Sequence, residues 1–354
     1  MRDLSKTDID VLKGIALLLL LCHHCFANGE PYNDIFVFGI PLIHKFCVFC
    51  QLCVSVFVFL SGYGLTAKAI YSNGIGRLGD FYRQRYSKLF FNFWVIYLLF
   101  VPLGVFVFHR TFQEVYGDKL LVGAISDFFG LHKAIIGHPY GYNATWWFLS
   151  CIIFLYLFFP FLWKARRYWF LMIPFAVMFP TFVQFIPVVG KSGCGAYMLS
   201  FVCGMLMVLL RPMYKLEQAA NNNQVCNQLG WERKRFVTKI LIFLFFLVAC
   251  LYRFKSGRAY LWDAAITSIG VFLYSMLNIK PAVIKVMTFI GKHSSNIFMF
   301  HTFIYSYYFH NFIYWSRNPL LIILTLLSSC ILISMLIEWL KKRLHFYSLL
   351  QKIA

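Results

Sequence analysis

Charged side chains, and acidic ones above all, are scarce in this sequence. Only 13% of its 354 residues are charged, and 13 Asp and Glu stand against 33 Lys and Arg. A soluble globular domain carries about a quarter charged residues, so the composition excludes that class. The net charge of +20 is typical of a nucleic-acid-binding protein. The basic residues, however, lie in short clusters between apolar runs, which excludes nucleic acid as a partner and indicates the positive-inside bias of a membrane protein.

A disulfide framework, an internal repeat and a cleavable signal peptide are also missing. The 11 cysteines are scattered through apolar runs without the spacing of a disulfide scaffold. We expect most of them to be small buried residues. The first apolar run has no small-residue cleavage site, so it is predicted to remain as a membrane span. These absences predict one membrane-embedded domain over residues 1–354.

What the sequence does contain is long apolar runs. A helix that crosses a bilayer needs about 20 mainly apolar residues, and ten runs approach that length. More than two thirds of the Lys and Arg residues fall in the segments that share a side with both termini, which predicts cytoplasmic termini. The predicted fold class is an all-α polytopic membrane protein with about ten transmembrane helices in the lipid bilayer. The predicted spans are 11–27, 46–67, 89–108, 145–163, 168–188, 193–210, 236–253, 259–277, 294–313 and 319–340.

The first apolar run carries ionisable residues near both ends. Lys13 and His24 are eleven residues apart, about three helical turns, so they share one face at a separation of roughly 16 Å. Asp10 precedes Lys13 by three residues and is placed to form an ion pair with it. Ionisable groups inside a membrane indicate function. The alternative is that Lys13 reaches to the membrane surface and His24 bonds to a neighbouring helix.

The sequence around His24 also raises the question of a metal. Residues 22–25 read Cys-His-His-Cys. Consecutive helical residues project about 100° apart, so four of them do not converge on one ion. Cys22 and Cys25 have the spacing of helical zinc ligands, but no second pair accompanies them. We therefore predict no metal site.

A basic cluster precedes the third span. Arg85 and Lys88 lie on one side of the predicted helix, and Asn92 continues that side into the membrane. Basic side chains at a cytoplasmic helix end suit phosphate groups. Positive-inside bias explains such a cluster equally well, so both interpretations stay open.

Two further runs carry polar residues. The segment 57–65 contains Ser61 between aromatic residues and two glycines, which allows close helix packing or a break in the helix. The serines at 294 and 295 are predicted to cap the ninth span. That start places His301 roughly 10 Å inside the span, as a second imidazole within the membrane.

Together these stretches resemble the acyltransferase 3 family of integral membrane acyltransferases. Five motifs occur in register over nearly the whole chain. They are Asp10-x-x-Lys13-Gly14-Ile15-Ala16 with His24, Phe59-Leu60-Ser61-Gly62-Tyr63, Arg85-x-x-Lys88-Leu89, Trp147-Phe148-Leu149 with Tyr156 and Pro160, and Gly291-Lys292-x-Ser294 with His301. The family often has arginine at the positions of Lys13 and Lys88. Lysine keeps the charge but not the bidentate recognition of phosphate.

The resemblance implies transfer of an acyl group, usually acetyl, from an acyl-CoA to a hydroxyl group. Family members O-acetylate lipopolysaccharide, capsule, exopolysaccharide and peptidoglycan. We therefore expect a glycan acceptor, acetyl-CoA as the donor substrate without a permanently bound cofactor, and a multi-pass protein of the bacterial plasma (inner) membrane. Some members carry a fused extracellular domain, which we expect to be absent because the chain ends at Ala354.

The resemblance and the residues together give the expected site. His24 is the expected base, with Lys13 and His301 as further catalytic residues. The expected donor-binding residues, with their supporting residues last, are Arg85, Lys88, Lys13, Ser61 and Tyr63, then Asp10 and Asn92. A transporter or flippase of a lipid-linked glycan is the alternative, because ten spans with polar groups at mid-membrane also suit it. An acyltransferase with a non-glycan acceptor is another.

Overall fold

The computed structural model describes residues 3–27, 29–211, 228–256, 260–346 and 348, and they are mainly helical. In these ranges the strands are one short antiparallel hairpin, β1 Phe36–Val37 with β2 Ile40–Pro41. The α-helices are α1 Lys6–Phe26, α2 Leu42–Phe49, α3 Cys53–Tyr71, α4 Leu78–Phe106, α5 Phe112–Tyr116, α6 Leu120–Phe128, α7 His132–Ile136, α8 Trp147–Lys164, α9 Trp169–Val183, α10 Pro187–Lys191, α11 Cys194–Leu209, α12 Gln228–Ser256, α13 Tyr260–Tyr274, α14 Pro281–Thr302, α15 His310–Tyr314 and α16 Pro319–Arg343.

Among the described residues, five helical stretches are long and apolar enough to cross a membrane. They are Lys6–Phe26, Leu42–Tyr71, Leu78–Phe106, Ala144–Val183 and Pro319–Arg343. The prediction of an all-α membrane protein is confirmed, and every predicted span overlaps a helix. The count of ten spans and the cytoplasmic termini stay predictions.

Helix α1 packs closely against α14 because two glycines face each other's backbone. A Cβ atom at Gly14 would collide with the carbonyl of Met287, and one at Gly291 would collide with the carbonyl of Asp10. The helix begins at a capping box in which the side chains of Ser5 and Asp8 bond to each other's backbone N–H groups. The close approach at Gly14 and Gly291 sets the distance between α1 and α14, the two helices that carry the predicted imidazoles.

Helices α3 and α11 also approach each other closely at two glycines. A Cβ atom at Gly62 would strike the Phe201 carbonyl, and one at Gly204 would strike the Phe59 carbonyl. The close approach of these helices explains why glycine follows Ser61 in the Phe-Leu-Ser-Gly-Tyr motif.

The predicted start of the ninth span is wrong. Helix α14 begins at Pro281 with Lys280 as its N-cap, a position that suits proline because the first helical N–H groups have no intrahelical acceptor. Ser294 lies inside the helix, and its hydroxyl donates to the Gly291 carbonyl at 2.7 Å. After Thr302 the chain continues as a π-helix, Phe303–Tyr308, which contributes a tyrosine to the site.

The segment 109–144, which lies between the third and fourth predicted spans, contains the short helices α5, α6 and α7. Asp127 is buried at its centre. Its Oδ2 accepts hydrogen bonds from the Tyr116 hydroxyl at 2.7 Å and from the Tyr142 backbone N–H at 2.6 Å. These bonds hold the chain where it enters the 3-10 turn Ala144–Trp146, which lies beside the site.

Candidate active site

A cavity of about 650 Å³ lies at the Lys13 end of α1. It is formed by side chains of α1, α3, α4, α8 and α14, and we call it the Lys13 cavity. Its walls are mainly apolar. The charged residues that line it are Lys6, Asp10, Lys13, Arg85 and Lys292. Four cations against one carboxylate make this cavity suited to an anionic ligand that also has an apolar part.

The predicted ion pair between Asp10 and Lys13 is confirmed. The Lys13 Nζ lies 3.5 Å from Asp10 Oδ1. Asp10 is buried, while Lys13 is partly exposed and lines the cavity. Sequence reasoning passed over Lys6 and Lys292 as lining residues. Lys292 stands within the quoted Gly-Lys-x-Ser motif, which is the signal that would have found it.

Arg85 borders a second, smaller cavity as well as the Lys13 cavity. This basic pocket of about 320 Å³ is lined by Lys68, Arg77, Asp80, Gln84 and Arg85, among others. The predicted partner residue Lys88 is exposed and lines neither cavity. Arg85 therefore borders both cavities and Lys88 borders neither, although a spacing of three residues places them on the same side of the helix.

Of the other predicted donor-binding residues, Ser61 lines the Lys13 cavity and Tyr63 does not. Ser61 lines the Lys13 cavity, and its hydroxyl donates to the Phe57 carbonyl at 3.0 Å. Tyr63 is buried, and its hydroxyl accepts a hydrogen bond from the Leu4 backbone N–H at 3.1 Å. Tyr63 does not line the cavity. Its position therefore favours a packing role between the N-terminus and α3.

Asn92 lies beside the cavity in a partly buried polar network that sequence reasoning did not find. Its amide Nδ2 donates to Ser295 Oγ at 3.0 Å, and its Oδ1 accepts from the Lys341 ammonium. Lys341 is buried and also donates to Asn296 Oδ1 at 2.8 Å and Glu338 Oε1 at 2.9 Å. Because Ser295 lines the Lys13 cavity, the network joins the cavity wall to α4 and α16.

At the other end of α1 lies a cavity of about 270 Å³, which we call the His24 cavity. Aromatic and polar side chains surround it. The residues that line it include His23, His24, Gln51, Lys133, Thr145, Trp147, Tyr197, Tyr260 and Tyr305. Lys13 and His24 therefore lie in different cavities at the two ends of the same helix.

The structure brings the two predicted imidazoles together. The ring centroids of His24 and His301 lie 5.0 Å apart, and His24 Nδ1 lies 3.4 Å from the Tyr305 hydroxyl. His301 is fully buried, and its Nδ1 lies 2.9 Å from the Ile297 carbonyl. A carbonyl only accepts, so Nδ1 carries the proton. His301 Nε2 has no hydrogen-bond partner among the described residues.

Thr145 lines both the Lys13 cavity and the His24 cavity. It lies on the turn before α8, where Asn143 caps the turn and the Trp146 indole N–H donates to the Met299 carbonyl at 2.8 Å. A threonine in a loop has no spacing signal, so sequence reasoning did not select Thr145. Tyr305 was missed as well, because a tyrosine in an aromatic-rich run looks like packing.

The two adjacent histidines of the Cys-His-His-Cys segment have different partners in the structure. His23 Nδ1 lies 2.9 Å from the Cys47 carbonyl, whereas His24 contacts Tyr305. Within the described ranges, no three His, Cys, Asp or Glu side chains are placed to hold a metal ion.

Comparison with known proteins identifies the family of this chain. The model of the acyltransferase domain of the acyltransferase 3 family matches residues 6–339, a range that contains α1, the cavity residues from Lys6 to Tyr305 and almost the whole chain. No curated protein and no solved structure matches the chain. The chain therefore belongs to the acyltransferase 3 family, and it is a membrane acyltransferase.

Proposed function

We propose that this acyltransferase moves acetyl from acetyl-CoA to a hydroxyl group of a cell-envelope or extracellular polysaccharide. One observation carries the proposal. The Lys13 cavity, with four cationic residues, and the His24 cavity, lined by the imidazoles of His23 and His24, lie at opposite ends of α1. Both cavities are lined by Thr145. Such an arrangement allows a donor and an acceptor to approach the reacting atoms from different ends of one helix.

The Lys13 cavity is the proposed donor site. Coenzyme A has phosphates at one end and a long, weakly polar pantetheine arm with the thioester at the other. Arg85, shared with the basic pocket, suits the phosphates because a guanidinium binds them by paired hydrogen bonds. The apolar walls suit the arm. The separation of roughly 16 Å between Lys13 and His24 is comparable to an extended arm.

The His24 cavity is the proposed acceptor site. The rings of Trp147 and Tyr197 are stacked, with centroids 5.9 Å apart, and Tyr260 meets Tyr197 edge-on. Aromatic faces pack against the C–H faces of sugar rings, and the tyrosine hydroxyls and Gln51 supply hydrogen-bonding groups. The volume of about 270 Å³ lies just below the usual range for drug-sized ligands and suits about one sugar unit.

In the proposed reaction His24 takes the proton of the acceptor hydroxyl as that oxygen attacks the thioester carbonyl. The C–S bond then breaks, and the CoA sulfur leaves with the proton from the His24 imidazolium. Neutral His301 presents the lone pair of Nε2, because its Nδ1 proton is bound to the backbone. It therefore suits stabilisation of the His24 imidazolium better than donation to an oxyanion.

Mass spectrometry of envelope polysaccharides tests the proposal. Deletion of the gene should remove an acetyl increment, and wild-type protein should restore it. His24→Asn should fail to restore it while reaching the membrane at normal abundance. His109→Asn is the matched control, because His109 is exposed, lies outside both cavities and has a positive φ that asparagine tolerates.

Three outcomes would contradict this proposal. Unchanged polysaccharide acetylation after deletion would exclude the acceptor class and favour a non-glycan acceptor. Full restoration by His24→Asn would exclude His24 as the base. Movement of a lipid-linked glycan across vesicles that does not depend on acetyl-CoA would favour the flippase alternative.

A further inference from the structure

We propose that the Ser295 hydroxyl donates a hydrogen bond to an amide carbonyl in the pantetheine arm of the acyl donor, and that Asn92 and Lys341 orient it. The inference rests on the proposed role of the Lys13 cavity as the donor site. Ser295 is exposed and lines that cavity, so a ligand there can reach its hydroxyl. Asn92 and Lys341 are positioning residues that act through Ser295.

The orientation of the Asn92 amide is set by Lys341. Lys341 is only 2% exposed. Its ammonium group donates to the side-chain oxygens of Asn92, Asn296 and Glu338, to the last two at 2.8 and 2.9 Å. An ammonium group has three N–H donors and no lone pair. The amide oxygen of Asn92 must therefore face Lys341, and its amide nitrogen Nδ2 faces the other way.

Ser295 accepts a hydrogen bond from that amide nitrogen. Its Oγ lies 3.0 Å from Asn92 Nδ2, a normal hydrogen-bonding distance. A serine hydroxyl has two lone pairs and one hydrogen, and an amide N–H group occupies only a lone pair. Ser295 donates to no other side chain within the ranges that the structure describes. Its hydrogen is therefore available to a carbonyl oxygen in the cavity.

The position of Ser295 along the cavity selects the part of the donor that it meets. Arg85, the proposed phosphate ligand, precedes Asn92 by seven residues on α4, which is roughly 10 Å along the helix axis. In the other direction, His301 follows Ser295 by six residues on α14, roughly 9 Å along that axis. Ser295 thus lies between the proposed phosphate site and the imidazoles. An extended acyl-CoA has the amide groups of its pantetheine arm in that interval.

Two pairs of variants test the residues of this arrangement. Ser295→Ala removes the hydroxyl. Ser328→Ala is its matched control, because the exposed Ser328 donates to the Leu324 carbonyl of its own helix. Lys341→Met removes the cation that orients Asn92, and Lys342→Met is its control, because Lys342 is exposed whereas Lys341 is buried.

Asn92→Asp tests the orientation itself. A carboxylate still accepts from Lys341 but has no N–H group to donate to Ser295. The Ser295 hydrogen then turns towards the carboxylate and is withdrawn from the cavity. The double variant Asn92→Asp/Ser295→Ala should therefore bind the donor about as well as Ser295→Ala, because both changes remove the same hydrogen bond.

Binding of CoA to the full chain in lipid nanodiscs is measured by titration calorimetry, and the KM for acetyl-CoA by steady-state kinetics. Ser295→Ala, Asn92→Asp and Lys341→Met should each weaken CoA binding and raise this KM by about three- to tenfold, with little change in kcat, because one hydrogen bond is lost. Both control variants should stay within about twofold of wild type. Adenosine 3′,5′-bisphosphate has the phosphates without the arm, so it should bind equally well to wild type and Ser295→Ala.

The outcomes separate this inference from the proposed function. CoA binding that is unchanged in Ser295→Ala would overturn the inference and leave the proposed donor site standing. An equal loss of bisphosphate binding would show that Ser295 supports the shape of the cavity and does not contact the arm. Multiplied losses in the double variant would show that Asn92 does not act through Ser295, and this test stands if Lys341→Met folds poorly. A wild-type protein that bound no CoA would contradict the proposed donor site and this inference with it.

Discussion

The imidazole rings of His24 and His301 lie 5.0 Å apart between centroids, with their planes inclined by 62°. They come from α1 and α14, whose backbones approach closely at Gly14 and Gly291. Two residues separated by nearly the whole chain therefore form one unit, and their removal should not have independent effects.

We expect His301→Gln to lower kcat for acetyl transfer by about ten- to a hundredfold, because the lone pair that stabilises the His24 imidazolium is lost. His24→Asn should lower it further. The double variant should be no slower than His24→Asn alone, since residues that act as a unit are not additive. Single-turnover kinetics measures this, and multiplied losses in the double variant would show that the two rings act separately.

Arg85 borders the proposed donor site and Lys88 does not, so their replacement should have different effects on the KM for acetyl-CoA. Arg85→Ala should raise the KM for acetyl-CoA by about ten- to a hundredfold, because removal of a charged phosphate contact costs about 1.5–3 kcal/mol. Lys88→Ala is the matched control and should change it less than about twofold, as expected for an exposed charge. Steady-state kinetics with acetyl-CoA varied is the measurement. Equal changes for the two variants would contradict the proposed donor site.

Gly14→Ala should destabilise the protein. The new methyl group would meet the Met287 carbonyl, and overpacking of this kind costs about 1–3 kcal/mol. Gly79→Ala is the control, because a Cβ there has open space and alanine favours helix by up to about 1 kcal/mol. Thermal unfolding in one detergent compares them. A Tm for Gly14→Ala at or above that of Gly79→Ala would refute the packing argument.

Stability should fall as pH rises towards neutrality because of Asp127. Burial raises the pKa of this carboxyl to about 7, against the lowering effect of the hydrogen bonds from Tyr142 and Tyr116 and the charge of Arg110. In the unfolded chain its pKa is about 4. Between about pH 4 and pH 7 the folded state holds a proton that the unfolded state has released, so the free energy of unfolding decreases with pH.

We therefore expect the Tm to be lower at about pH 8 than at about pH 5, with most of the fall between about pH 5 and pH 7 and little change above that. Asp127→Asn keeps an oxygen that accepts from Tyr116 and Tyr142 but does not titrate, so its Tm should change much less over this range. A fall of equal size in both proteins would assign the pH dependence to other groups.

The sequence by itself determined the class of the molecule and the position of its central helix. Sparse charge and long apolar runs leave a helical membrane protein as the stable solution, because backbone groups inside a bilayer must bond to one another. Helical periodicity over one segment also predicted the ion pair between Asp10 and Lys13 correctly. These relations are local, and the geometry of a single helix decides them.

Only the tertiary structure decided which distant residues meet. His301 lies beside His24 because glycines allow α1 and α14 to touch. Arg85 borders a cavity that Lys88 does not, since small differences in side-chain direction decide which residue reaches the space between helices. Thr145 and Tyr305 join the site through hydrogen bonds across elements far apart in the chain. No periodicity within one segment encodes such contacts, because they depend on how helices pack and not on how each one winds.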